Sequence, residues 1–369
     1  MNQQRIYLSP PDFSKSELNE VSKVFESGWI APVGPAIDAF EAKLAEKYND
    51  KSVLALNSGT SALHLALILA GVGDGDEVLV SSFTFAACAN TVLYERAIPI
   101  FLDSDDVSWN LDPDVLLNYL SNAEVIPKAL IVTHLYGMPA DMKRIAGISK
   151  EYGIKIIEDA AESLGAMDDG VHVGGIGDYG IISFNGNKII TTSGGGALIC
   201  SSEDWERGKH LATQANSGSF GYDHKEAGYN YRMSNVLAGI GLAQLTKLDS
   251  FVKRKRMIFE MYEDQLSGYF DFLQEPASMF SNRWLTTALL KEEGREIDEL
   301  VVYLNGHEIE SRRLWKPLHL HEAYHASVFI GEGVCEQIYR RGICLPSGCG
   351  LTVDQQQFVI DKIKDWLSQ

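Results

Sequence analysis

The stretch "KALIVTHLYGMPADMKRIAGISKEYGIKIIED", Lys128 to Asp159, decides the fold. It opens and closes on short apolar runs, "KALIVTHL" (128–135) and "IKIIED" (154–159), each ending in polar or small residues. Between them "DMKRIAGISKEYG" has the spacing of an amphipathic helix closed by Gly153. Strand, helix and strand in one unbroken stretch make the unit of a parallel sheet. The pattern extends outward from about residue 14 to 200. "EVLVSS" (77–82) and "IPIFLD" (98–103) read as further strands. "SKSELNEVSKVFESG" (14–28) and "SALHLALILAGV" (61–72) read as helices, ended by Gly28 and Gly71. The fold class is therefore α/β, with a large doubly wound, mostly parallel sheet. Such sheets gather ligands at the carboxyl ends of their strands. Those ends are Ser81–Phe85, Asp103, His134–Gly137 and Asp159–Glu162.

After about residue 240 the texture changes. "VLAGIGLAQLTKLDSFVKRKRMIFEMYEDQL" (236–266) reads as one long helix. Then come "RWLTTALL" (283–290), "CEQIYRRGICLPSG" (335–348) and a closing helix, "TVDQQQFVIDKIKDWLSQ" (352–369). A chain of 369 residues exceeds the usual single core. Two domains are expected, 1–245 and a smaller α/β domain, 246–369.

A net charge of -18 argues against nucleic acid as a partner, although a local basic pocket for an anion remains open. Five cysteines without a C-x-x-C pair read as reduced thiols of a cytoplasmic protein. "MNQQRIYLSPPDF" carries no secretion signal, and no apolar run is long enough to cross a membrane.

Three segments could carry chemistry. In "ALNSGTSALHLAL" (55–67), an apolar run passes through Asn-Ser-Gly-Thr-Ser into a helix. Gly59 allows close backbone approach, and the free N–H groups of the first turn favour a phosphate. Taken alone, the segment reads more readily as a plain cap by Ser58 or Thr60. In "IKIIEDAAESLGA" (154–166), Asp159 at a strand end can hold a cationic group, or cap a helix. In "GIISFNGNKIITTSGGGALI" (180–199), Ser183, Asn185, Asn187 and Lys188 interrupt an apolar, glycine-rich run. A lysine short of neighbouring charge and water becomes nucleophilic, while a lone lysine is more often solvated. Phosphate cradle, strand-end Asp and sheltered Lys, in that order, are the three fixtures that pyridoxal 5'-phosphate (PLP) requires.

With these segments the sequence resembles the DegT/DnrJ/EryC1/StrS sugar aminotransferases, of the aspartate-aminotransferase fold (PLP fold type I). The resemblance runs from "GWIAPVGPAIDAFEAKLAEKY" (28–48) through "NSGTSALHLAL", "SSFTFAA", "EDAAES", "SFNGNK" and "YNYRMSN" to "LPSG" (345–348). Within the family, "SPP", "VTHLYG", "NGNKIITTSGGG", "NRWL" and "GICLPSG" are most similar to the bacillosamine-pathway enzymes. The resemblance implies that Lys188 holds PLP as a Schiff base and shuttles the proton, and that Asp159 binds the ring nitrogen. It implies phosphate contacts from Gly59, Thr60 and Ser183, and stacking by Phe85. Glu162 stands where many relatives carry Gln near the ring hydroxyl. A homodimer with shared sites is implied, in which Asn235 reaches the partner's phosphate and Arg232 the nucleotide pyrophosphate. Tyr231, Asn187, Trp315, Lys316 and His319 are the further substrate candidates. The implied reaction moves an amino group from L-glutamate to the C4 ketone of UDP-2-acetamido-4-keto-2,4,6-trideoxyglucose. C3 and C4 amination, and UDP and dTDP, are not separated by local chemistry.

Rival readings are weaker. Dehydratases of this family carry histidine in place of the lysine. A PLP-binding regulator would bind the cofactor without turnover. "HEAYH" (321–325) matches a zinc motif, yet it lacks an apolar helical stripe and a third ligand, so no metal is expected. "KRKR" (253–256) reads as a solvated helix face, and the tyrosines of "GYDHKEAGYNYR" (221–232) as sugar-site walls or loop packing.

Overall fold

A computed structural model describes residues 5–218, 221–292 and 294–369, so the first four residues of the N-terminal stretch lie outside it. The alternation read from the sequence forms one eight-stranded sheet. Its strands include β1 (Ser52–Leu56), β2 (Glu77–Ser81), β3 (Ile98–Leu102), β4 (Ala129–Thr133) and β5 (Lys155–Asp159), joined by Tyr179–Ser183, Gly196–Cys200 and Phe329–Ile330. The order is β1, 196–200, 179–183, β5, β4, β2, β3, 329–330. All run one way except 196–200, which is antiparallel to both its neighbours. β2 and β4 are mostly apolar, and β2, β4 and β5 are buried along nearly their whole length, as a sheet covered on both faces demands.

Helices cap as their sequences suggest. Helix α1 (Lys15–Glu26) opens on a Ser14–Glu17 capping box. Helix α2 (Pro35–Ala45) has no side-chain cap of its own from Gly34. Helix α3 (Gly59–Leu69) is capped by Ser58, which accepts from Ser61 N. The helix between β4 and β5, Met142–Tyr152, stops at Gly153 in the left-handed region (φ 70°).

The single helix expected over 236–266 is two helices, Asn235–Leu245 and Leu248–Leu266. At the break the Thr246 hydroxyl donates to Ala243 O and Lys247 N closes a short turn onto Gln244 O. The first helix packs on α1 and α2; Gly241 lies where a Cβ would meet the Phe40 ring at 2.7 Å. The second carries the chain to an antiparallel sheet ordered Phe270–Phe272, Thr286–Leu290, Gly342–Leu345, Arg312–Arg313. Phe329–Ile330 then returns to the large sheet beside β3. Among the described residues no helix is long and apolar enough to cross a membrane.

Candidate active site

The carboxyl ends of β1, β2, β4, β5 and strand 179–183 surround a cavity of about 560 Å³. Gly59, Thr60, Phe85, Asp159, Glu162, Ser183, Asn187, Lys188 and Trp315 all line it. Residues far apart in sequence therefore share one chamber.

The floor is the first turn of α3. Its N–H groups lack intrahelical acceptors. A Cβ on Gly59 would come within 3.2 Å of Ser183 Cβ, so glycine keeps the backbone and the Ser183 hydroxyl on one small surface. The glycines of 194–196 gain a contact: a Cβ on Gly196 would overlap Gly59 N, because Gly196 pairs with Leu56 directly below that turn.

Strand alternation separates Glu158 from Asp159. Glu158 is fully buried and accepts from Gly174, Ile176 and Gly177 N–H and from His134 Nε2. Asp159 faces the cavity. Its Oδ1 accepts from Ala161 N and its Oδ2 from the Cys88 thiol at 3.0 Å. Burial, then the negative charge of Asp159, push the Cys88 thiol well above its usual range, so it stays a neutral donor.

Lys188 is not as free of charge as its segment suggests. Its Nζ lies 3.6 Å from Glu162 Oε1 and 4.2 Å from the centre of the Trp284 ring. The charge comes from the end of β5, which sequence neighbours do not reveal. Glu162 Oε2 accepts from Tyr136 N, and Oε1 from Trp315 Nε1 at 3.3 Å. Burial pushes the Glu162 carboxyl up, against the pull of Lys188. Tyr136, at φ 52°, stacks nearly parallel to both Trp284 and Trp315 and accepts from Trp315 N. Phe85, half exposed, leans on Trp315 at 5.3 Å.

Other candidate residues make contacts within their own chain. Asn235 is buried; its Oδ1 accepts from Ile37 N and its Nδ2 donates to Trp29 O, so it caps α2 from a distance. Arg232 is buried in an ion pair with Glu41 (2.6 Å) and donates to Ala55 O. Burial pushes the Glu41 carboxyl up against the pull of Arg232. Tyr231 meets His64 Nδ1, and His64 Nε2 meets Glu95. His319 sits between Ser82 and Glu336, and Lys316 is exposed; neither lines the cavity. Asp103 accepts the N–H groups of residues 332–335 and serves the fold. His321 and His325 meet the carbonyls of Lys316 and Glu322, and "HEAYH" contains a 3₁₀ turn, not an α-helix.

Cys88, Tyr136, Trp284 and Arg312 are neighbours that the sequence reading did not assign. "VTHLYG" and "NRWL" were visible as motifs, but no spacing rule links them to Lys188. A second cavity of about 330 Å³ shares Asn187, Trp284, Arg312 and Trp315 with the first.

The set fits PLP. The α3 turn and Ser183 suit a phosphate, Asp159 suits a ring N–H, and Lys188 suits a carbonyl. The buried Oδ1 of Asn187 has no partner among the described residues, as expected where a ligand supplies one.

Comparison with known proteins agrees. Residues 11–364 match the DegT/DnrJ/EryC1/StrS aminotransferase family. The putative pyridoxal phosphate-dependent aminotransferase EpsN of Bacillus subtilis is 46% identical, covering 97% of this chain and 94% of EpsN. GDP-perosamine synthase of Escherichia coli O157:H7 is 34% identical, covering 97% of each. The PLP form of the putative sugar aminotransferase Spr1654 from Streptococcus pneumoniae superposes with a TM-score of 0.89 at 26% identity, covering 98% of each chain. The chain belongs to the DegT/DnrJ/EryC1/StrS family and is a PLP-dependent sugar aminotransferase of fold type I.

Proposed function

We propose that the protein transfers an amino group from L-glutamate to the C4 ketone of a nucleotide-linked 4-keto-6-deoxy sugar, UDP-2-acetamido-4-keto-2,4,6-trideoxyglucose. The observation that carries the reading is Lys188 Nζ in one chamber with Asp159 and the first turn of α3. When bound, PLP supplies a ring that accepts the electron pair left by a departing proton. The chain does the rest. Gly59 N–H, Thr60 N–H and the Ser183 hydroxyl bind the phosphate. Asp159 keeps a proton on the ring nitrogen. Phe85 covers one face. Lys188 Nζ first anchors the cofactor, then takes a proton from one carbon and delivers it to another.

A second reading has its own support. GDP-perosamine synthases at 33–34% identity make a GDP-linked sugar an alternative acceptor. We place the domain boundary at the Thr246–Lys247 break. We also propose a cytoplasmic homodimer. Exposed Trp29, Ile30 and Val33 support an apolar contact beside Asn235, and Asn235 and Arg232 stay the residues that each copy offers to its partner's site.

A spectrum tests the reaction. The visible band of PLP-loaded protein disappears with L-glutamate and returns with the UDP-4-keto sugar. Lys188→Ala loses both responses, with activity down by about 10³-fold or more. Return of the band with the GDP sugar alone overturns the UDP assignment. No response to glutamate overturns the transaminase reading.

A further inference from the structure

Glu162 is a carboxylic acid with almost no access to water, 3.6 Å from the one amine that the chemistry uses. Two N–H groups fix it, Tyr136 N on Oε2 and Trp315 Nε1 on Oε1. A buried carboxylate is costly unless a charge compensates it. Lys188 is that charge while it is an ammonium. Its role in the reaction is to stop being one.

The proton count follows. When Lys188 joins its nitrogen to a carbonyl carbon, a carbon–nitrogen double bond forms. The carbonyl oxygen leaves as water with two of the three ammonium protons. One proton remains on the nitrogen and keeps it cationic; only when that third proton also leaves does Glu162 lose its compensating charge. Resting on the reading of Lys188 as the cofactor lysine, we propose that Glu162 is the proton store of the site. Its Oε1 takes the proton that Lys188 sheds and returns it when the lysine is set free.

The other groups facing this point do not take that proton. Asp159 already accepts from Ala161 N and Cys88 and faces the ring nitrogen. Tyr136 and Cys344 are pushed up by burial first, Cys344 to about 12, so both already hold their protons. Arg312, on the cavity wall, is a permanent cation. The store also touches the substrate side. Trp315 Nε1 bonds the oxygen that would be protonated, so the indole senses whether Glu162 is charged.

Calorimetric titration of cofactor-free protein with PLP, near neutral pH in two buffers of different ionisation enthalpy, counts protons released per chain. Glu162→Gln keeps shape and hydrogen bonding but cannot store the proton. The variant is expected to release about one proton more than wild type. Trp315→Phe keeps the carboxyl and is expected to give the wild-type count. Equal counts for Glu162→Gln and wild type overturn the proposal. A variant-free check guards against misfolding. PLP added to wild type should raise a protonated-carboxyl band in the infrared difference spectrum, and its absence also overturns the proposal. Failure of wild type to bind PLP would instead remove the function on which the proposal rests.

Discussion

The thiol of Cys88 donates to Asp159 Oδ2 across 3.0 Å, with Thr84 and Thr133 packed beside it. The bond is fully buried and aims a carboxylate that lines the cavity, the one proposed to hold the ring nitrogen. Cys88→Ala removes one donor to a buried charge, worth about 1 kcal/mol or more. PLP affinity should fall by about fivefold or more, measured by fluorescence or absorbance titration, and Cys88→Ser should restore most of it. The elevated thiol also predicts slow alkylation of Cys88 in the folded protein at neutral pH.

Gly196 lies against the backbone of the α3 turn. Gly196→Ala forces two backbones apart, since neither is the end of a flexible side chain. The expected cost is about 1–3 kcal/mol in urea unfolding, with PLP affinity down by about tenfold. Gly186→Ala, where nothing lies within 4 Å of a Cβ, is the control and should leave stability near wild type.

Arg232 and Glu41 close the outer edge of β1. Glu41 accepts Ala55 N–H at 2.7 Å and Arg232 donates to Ala55 O at 3.1 Å. Arg232→Met strands a buried carboxylate and should cost about 3–5 kcal/mol in denaturant unfolding. Its PLP affinity should stay within about twofold of wild type, because the guanidinium is outside the cavity.

Glu17 predicts an acid limb of stability. Burial pushes its carboxyl up, but Lys247, the backbone N–H of Ser14 and of Glu17 itself, and Gln244 outweigh that and hold it at about 2, from an ordinary 4.5. A lowered folded value means stability present above 4.5 and lost as pH falls toward 2. The loss is at most about 3 kcal/mol over that window. Glu17→Gln should flatten it in acid titrations followed by circular dichroism.

Much of the fold was legible. Apolar runs of strand length, helical spacing and the glycines at 71 and 153 are local signals, and the elements they mark are present. The helix over 236–266 misled because its composition is helical throughout. At the break the Thr246 hydroxyl turns back on Ala243 O and Lys247 N on Gln244 O, contacts that composition does not encode. Of the candidate site, Gly59, Thr60, Asp159, Ser183 and Lys188 were legible because each stands at the end of a readable strand or segment. Arg232 and Asn235 were expected to reach a partner's site, and within their own chain they also hold β1 and α2 in place. Both residue types suit phosphate, and only the tertiary structure brings Glu41, Trp29 and Ile37 to their polar groups.

The sequence alone determined the parallel sheet, the order of its elements and the lysine, aspartate and helix turn that meet at its carboxyl edge. Periodicity and end signals act over a few residues, and they survive in one dimension. The tertiary structure alone decided the company those residues keep: Glu162 and Trp284 beside Lys188, Cys88 behind Asp159, Gly196 beneath Gly59. Those contacts join segments tens of residues apart, and burial makes them count, because a charge or thiol out of water is governed by whatever lies within a few ångströms of it.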